Sequence, residues 1–138
     1  FLNGRTYYTV SSLVEDSAQL FFARTGANDP AFNLRREPSY ILRKNGRNKT
    51  FASVIEIHGK FDPVAEFSTN SYPSVQSIVL KYNDEDFTVV EVRVGKDLLT
   101  IAQANKDAGT NKIHNVTAGG KEFQWTGPFT VLYNNKQL

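Results

Sequence analysis

The run VQSIVLKYNDEDFTVVEVRVGKDLLTIAQA, residues 75–104, decides the fold. In its middle Val89, Val90, Val92 and Val94 are set against Glu91 and Arg93. That two-residue period puts successive side chains on opposite faces, as a β-strand does. The polar interruptions Asn83-Asp84-Glu85-Asp86 and Gly95-Lys96-Asp97 leave room only for tight reversals. The segments Val75–Tyr82, Phe87–Val94 and Leu98–Ala104 therefore read as antiparallel neighbours.

The same grammar extends outward in both directions. Ile113–Thr117 and Lys121–Trp125 flank the turn residues Ala118-Gly119-Gly120, and Pro128–Tyr133 follows. Towards the N-terminus, Thr6–Val14 and Ala18–Arg24 are separated by Glu15-Asp16-Ser17. Tyr40–Lys44 and Lys49–His58 are separated by Asn45-Gly46-Arg47-Asn48, whose Asn-Gly pair predicts a hairpin. Phe51, Ser53, Ile55 and Ile57 alternate with Ala52, Val54 and Glu56. No window sustains a capped helical stripe. The expectation is one all-β domain over residues 1–138, an antiparallel two-layer β-sandwich of roughly eight to ten strands. Asn3-Gly4 predicts a type I′ turn whose first strand is only Phe1 and Leu2, so the chain reads as a piece that begins inside a hairpin.

Composition bounds the function. With 138 residues, 40% apolar and 10 Phe beside 6 Tyr, the chain can build a core. It has no Cys, which excludes disulfides and thiolate metal sites. No apolar run nears the roughly 18 residues that span a bilayer, so no membrane partner is expected. A net charge of +2 gives no general case for nucleic acid. Arg35, Arg36, Arg43, Lys44, Arg47 and Lys49 nevertheless crowd together with Glu37 the one acid among them. Two readings are open: a solvated hairpin face that discourages edge pairing, or a surface for a polyanion or an acidic neighbour.

Two longer connections, Thr25–Ser39 and Gly59–Ser74, carry Pro30, Pro38, Pro63 and Pro73. Long rigid loops in a compact domain are where contacts to ligands and partners concentrate. Glu56 and His58 end an apolar strand before Gly59, and Arg24, Asn28 and Asp29 follow a similar exit. His58 has the alternative of a strand-end histidine bonded to backbone, and Glu56 that of an outward residue on an alternating strand. Asn28 and Asp29 have the alternative of a local turn. Arg35 and Arg36 could instead tie the loop through Glu37. Among the aromatics, Trp125 reads as core, whereas Tyr72 in a polar loop is the candidate exposed ring. Nucleophile-elbow, phosphate-loop and dinucleotide motifs are absent, and His58 and His114 have no metal-ligand spacing. The sequons at Asn48 and Asn115 carry no argument.

Four stretches together resemble a known family. They are Phe22-Ala23-Arg24-Thr25-Gly26-Ala27-Asn28-Asp29-Pro30, Leu34-Arg35-Arg36-Glu37-Pro38, Phe51-Ala52-Ser53-Val54-Ile55-Glu56 with His58-Gly59, and Trp125-Thr126-Gly127-Pro128. The chain resembles the C-terminal β-domain of heparinase II/III-like polysaccharide lyases, most nearly the oligoalginate lyases of polysaccharide lyase family seventeen. The resemblance implies a secreted or periplasmic bacterial parent that cleaves a uronate polysaccharide by β-elimination. It places the catalytic Asn, His and Tyr on an N-terminal helical toroid, and a further Tyr with a His/Asp/His zinc site ahead of the stretch matched here. None of those motifs occurs in this sequence, so no catalytic residue, metal or cofactor is expected in it. Its implied partners are the toroid and an anionic uronate oligosaccharide. Its implied contacts are Glu56, His58, Arg24, Asn28, Arg35, Arg36 and Tyr72, on a surface formed by the two long loops. The rival readings are an independent carbohydrate-binding module and a purely structural accessory domain.

Overall fold

The computed structural model describes residues 1–26, 36–107 and 109–138. Of Thr25, Gly26, Arg36 and Glu37 the strand position alone is described. Among the described residues there are thirteen strands and no helix, all strand pairs are antiparallel, and the fold is an all-β sandwich. The chain divides into two compact units, residues 1–13 with 50–138, and residues 14–49.

The larger unit is built on residues 75–104. β7 (Val75–Asn83), β8 (Phe87–Val94) and β9 (Asp97–Ala104) pair in order, and β12 (Phe129–Tyr133) and β13 (Lys136–Gln137) extend the sheet beyond β9. Asp84 makes the first reversal: its Oδ1 accepts from the Asp86 and Phe87 amides at 2.8 and 2.7 Å. This side chain mimics a backbone turn. The hairpin of β10 (Ile113–Ala118) and β11 (Lys121–Thr126) lays its alternate residues on one face of that sheet. Val116, Ala118, Phe123 and Trp125 there meet Val89, Ala102 and Ala104 in the hydrophobic core. Trp125 is 2% exposed, as its sequence context suggests. It forms an aromatic cluster with Phe87 (5.7 Å between ring centroids, edge on) and buried His114 (5.3 Å). Offset and edge-on pairs at these distances add to the area buried.

A second sheet in this unit orders β1 (Leu2–Asn3), β2 (Thr6–Ser12), β5 (Ser53–Asp62) and β6 (Phe67–Thr69). Two sets of hydrogen bonds tie it to the five-stranded sheet. Thr50 Oγ1 donates to Asn83 Oδ1 at 2.7 Å, and the Glu56 carboxylate receives the amides at the start of β7.

The smaller unit is the hairpin of β3 (Gln19–Gly26) and β4 (Arg36–Arg43). Its Phe22 and Tyr40 rings lie 5.2 Å apart, and Lys44 and Lys49 both approach Glu15 at 3.7 Å.

Several sequence expectations move. β2 pairs with β5, and β3 with β4, so the short turns at 15–17 and 45–48 join strands that do not pair. The turn signals were real, but the cross-strand partner of Thr6–Ser12 comes from beyond residue 50. The first turn falls on Gly4-Arg5 because Asn3 still pairs with Thr6, and Gly4 has φ +62°. Phe1 and Leu2 do pair: Leu2 lies opposite Tyr7, and the Phe1 ring stacks on Tyr8 at 5.2 Å. The expected loop 59–74 holds the end of β5 and all of β6, and the expected loop 25–39 holds the end of β3 and the start of β4. Three short strands, β1, β6 and β13, raise the count above the ten segments read from sequence.

Candidate functional site

β5 alternates, but its polar side faces inward. Val54, Glu56 and His58 are half-buried, while Ser53, Ile55 and Ile57 are exposed. Glu56 is therefore not the outward residue of its strand. Across β2, Tyr7 lies opposite His58 and Thr9 opposite Glu56, so four polar side chains share this inner face.

Each is held. His58 Nδ1 lies 2.9 Å from the Asn70 carbonyl oxygen, which can only accept. Nδ1 therefore carries a proton, and in the neutral ring Nε2 accepts from the Thr9 hydroxyl at 2.9 Å. The Tyr7 ring stacks on His58 with centroids 6.0 Å apart, and its hydroxyl lies 2.6 Å from Ser68 Oγ on β6. Glu56 Oε1 and Oε2 accept the Ser74 amide at 2.7 and 2.9 Å, and Oε2 accepts the Val75 amide at 3.1 Å. Partial burial pushes the Glu56 carboxyl pKa up. The Ser74 and Val75 amides outweigh this, with a smaller contribution from the Ser74 side chain and the His58 charge, and hold it below the ordinary 4.5.

The arrangement grips the segment 70–74 at both ends, His58 at Asn70 and Glu56 at Ser74. Between the two grips Tyr72 projects with 87% of its surface exposed. Gly59 makes the grip possible. It sits at φ +58°, and a Cβ there would lie 2.2 Å from the Asn70 carbonyl oxygen and 2.5 Å from that of Thr69. Only glycine admits this approach of β6 to β5.

Glu56, His58 and Tyr72 are brought into one local structure, the first two as anchors of the loop that presents the third. Arg24 is exposed on β3, opposite Pro38. Asn28 and Arg35 lie outside the described residues, and Arg36 is known only by its pairing with Gly26. Tyr7, Thr9 and Ser68 escaped the sequence reading. Their signal was available only with the β2–β5 register, which brings residues some 50 positions apart together. Among the described residues no three of His, Cys, Asp and Glu cluster as metal ligands, and no helix is long and apolar enough to cross a membrane. The contacts of Thr9, Glu56 and His58 order the 70–74 loop.

This geometry defines an all-β domain that displays a braced loop. The comparisons then supply the kinship. No family model matches the chain. It is 33% identical over 136 residues to an alginate lyase of Stenotrophomonas maltophilia (strain K279a), covering 98% of this chain. It is 31% identical over 133 residues to an exo-oligoalginate lyase of Saccharophagus degradans, covering 95% of this chain. The chain is homologous to these lyases, as the sequence resemblance implied, and spans 18% of the length of each.

Proposed function

We propose that this chain is a non-catalytic accessory β-domain of a larger alginate lyase, bound to the remainder of that enzyme through the outer face of the four-stranded sheet. The observation that carries this is the apolar character of that face. Tyr8 lies opposite Ile57 and Val10 opposite Ile55, with Phe1 stacked on Tyr8. Val10, Ile55 and Ile57 are 53%, 66% and 66% exposed. Soluble monomers rarely leave such a contiguous patch in water. Homology to about a fifth of two much longer lyases supports the rest of such an enzyme as the occupant. The opposite, polar face braces the Tyr72 loop, whose ring is free to stack on a sugar of the substrate. The names of the two relatives support alginate or its oligomers as the parent's substrate; the resemblance read from the sequence adds the proposal that the parent acts by β-elimination, with a heparinase II/III-like toroid supplying the chemistry, in the periplasm or outside the cell.

The test is the double variant Ile55→Lys, Ile57→Lys. In the isolated chain these positions are exposed, and the expected change in stability is within about 0.5 kcal/mol. In the full-length enzyme the lysines would be buried against apolar surface, and the melting temperature should fall sharply. Equal, small effects in both contexts would overturn the docking assignment.

A further inference from the structure

The chain crosses from one layer to another between β11 and β12, at Thr126-Gly127-Pro128. β11 pairs with β10 and β12 with β9, so the two diverge without pairing to each other. β13 then turns back along β12 through Asn134 and Asn135, whose φ values of +48° and +66° suit a two-residue hairpin turn. The wedge left between β11 and the β12–β13 hairpin is a cleft of about 500 Å³, within the roughly 300–1,000 Å³ of small-ligand sites.

Its lining is amphipathic. The buried Phe123 and Thr130, with Leu132, form the floor. Gln124, Asn135 and Gln137 stand at the rim with Lys121, and Gln137 reaches this side because it lies opposite Leu132. The Lys121 ammonium touches Asn135 Oδ1 at 3.3 Å and has no acidic partner among the described residues. Glu122, the acid of the lining, is engaged by Asn115, whose Nδ2 donates to its Oε1 at 2.6 Å. An apolar floor fits the C–H face of a pyranose, amides suit vicinal hydroxyls as both donors and acceptors, and a lone ammonium calls for one carboxylate. We propose that this cleft binds a uronate-bearing oligosaccharide, with Lys121 on the carboxylate and Gln124, Asn135 and Gln137 on the ring hydroxyls. The site is separate from the Tyr72 loop and, for the choice of alginate as probe, rests on the function proposed above.

The experiment titrates the isolated 138-residue chain with purified alginate trisaccharide and follows its amide and side-chain NMR signals. Saturable shifts should gather on Lys121, Gln124, Thr130, Asn135 and Gln137. Lys121→Gln should weaken binding about tenfold, the usual effect of losing a charge-assisted contact, and so should the carboxyl-reduced trisaccharide with the unaltered chain. The joint change Gln124→Ala, Gln137→Ala should also weaken it, without altering the melting temperature. Absence of shifts at millimolar sugar, shifts confined to other surfaces, or equal affinity for the carboxyl-reduced sugar would each overturn the proposal. Cleft binding of a glucuronate oligomer in preference to alginate would support a uronate cleft but count against an alginate-cleaving parent. The docking test with Ile55 and Ile57 is independent of the cleft, so the two readings can fail separately.

Discussion

Gly59→Ala is the perturbation that most sharply probes the braced loop. Two effects add at this position. An alanine at φ +58° costs about 1–2 kcal/mol of backbone strain, partly offset by about 0.4–1 kcal/mol from a stiffer unfolded chain. Its Cβ would also stand 2.2 Å from the Asn70 carbonyl oxygen and 2.5 Å from Thr69 oxygen. Backbone cannot yield there without drawing β6 away from β5. The pairs Lys60–Thr69, Phe61–Ser68 and Asp62–Phe67 and the His58–Asn70 bond are then weakened, at about 0.5–1.5 kcal/mol per net hydrogen bond. A total of about 2–4 kcal/mol is expected, a fall in Tm of roughly 10 °C for a domain of this size. Gly95 supplies an internal control, since it has the same φ of +58° and its added Cβ would meet nothing within 4 Å. Gly95→Ala should cost only the backbone strain, about 1 kcal/mol. The assay is thermal unfolding of both variants, with amide exchange at 69–75 as a local readout. Equal losses in the two variants, or a Gly59→Ala protein whose amides at 69–75 exchange as in the parent, would refute the close-approach argument.

Three further outcomes follow. The Glu56 carboxyl is held below its ordinary 4.5, so its contribution to stability is full above that value and is lost as pH falls through the lower folded value; the protection of the Ser74 and Val75 amides, measured relative to the intrinsic exchange rate at each pH, should fall on acidification, and Glu56→Gln should flatten that dependence. Trp125→Ala removes a core side chain and should destabilise by about 3–5 kcal/mol in denaturant unfolding; a loss under about 1 kcal/mol would show that the β10–β11 hairpin does not close the core. Tyr72→Ala should leave the melting temperature of the chain unchanged while raising the KM of the full-length enzyme, whereas an unchanged KM would remove the ring from the substrate path.

What the sequence made legible follows the range of the interactions. The β7–β8–β9 meander and the β10–β11 hairpin are local, with alternation and turn residues adjacent in the chain, and both appear where residues 75–104 and 113–125 place them. Trp125 in the core and Tyr72 in water were likewise readable from their neighbours. The β2–β5 pairing was not, because 36 residues intervene between Leu13 and Thr50, and adjacency favoured the nearer but wrong partners. That one register decides the site. It turns Glu56 and His58 inward, places Thr9 and Tyr7 beside them, and sends Ile55 and Ile57 out to water. β6 was hidden because Gly59, read as a strand exit, is instead the glycine that lets the strand continue beside a close neighbour. β13 had a usable signal in Asn134-Asn135, but two residues of strand give no periodicity to count.

Alginate trisaccharide and polymer are incubated with the purified chain and with the full-length enzyme that carries it, and the ultraviolet absorbance of the unsaturated uronate product is followed. The account predicts turnover by the full-length enzyme and none above the buffer blank by the chain, at any pH where it is folded. Turnover by the chain that survives repurification would contradict it, since the Thr9, Glu56 and His58 network would then be doing chemistry rather than holding a loop.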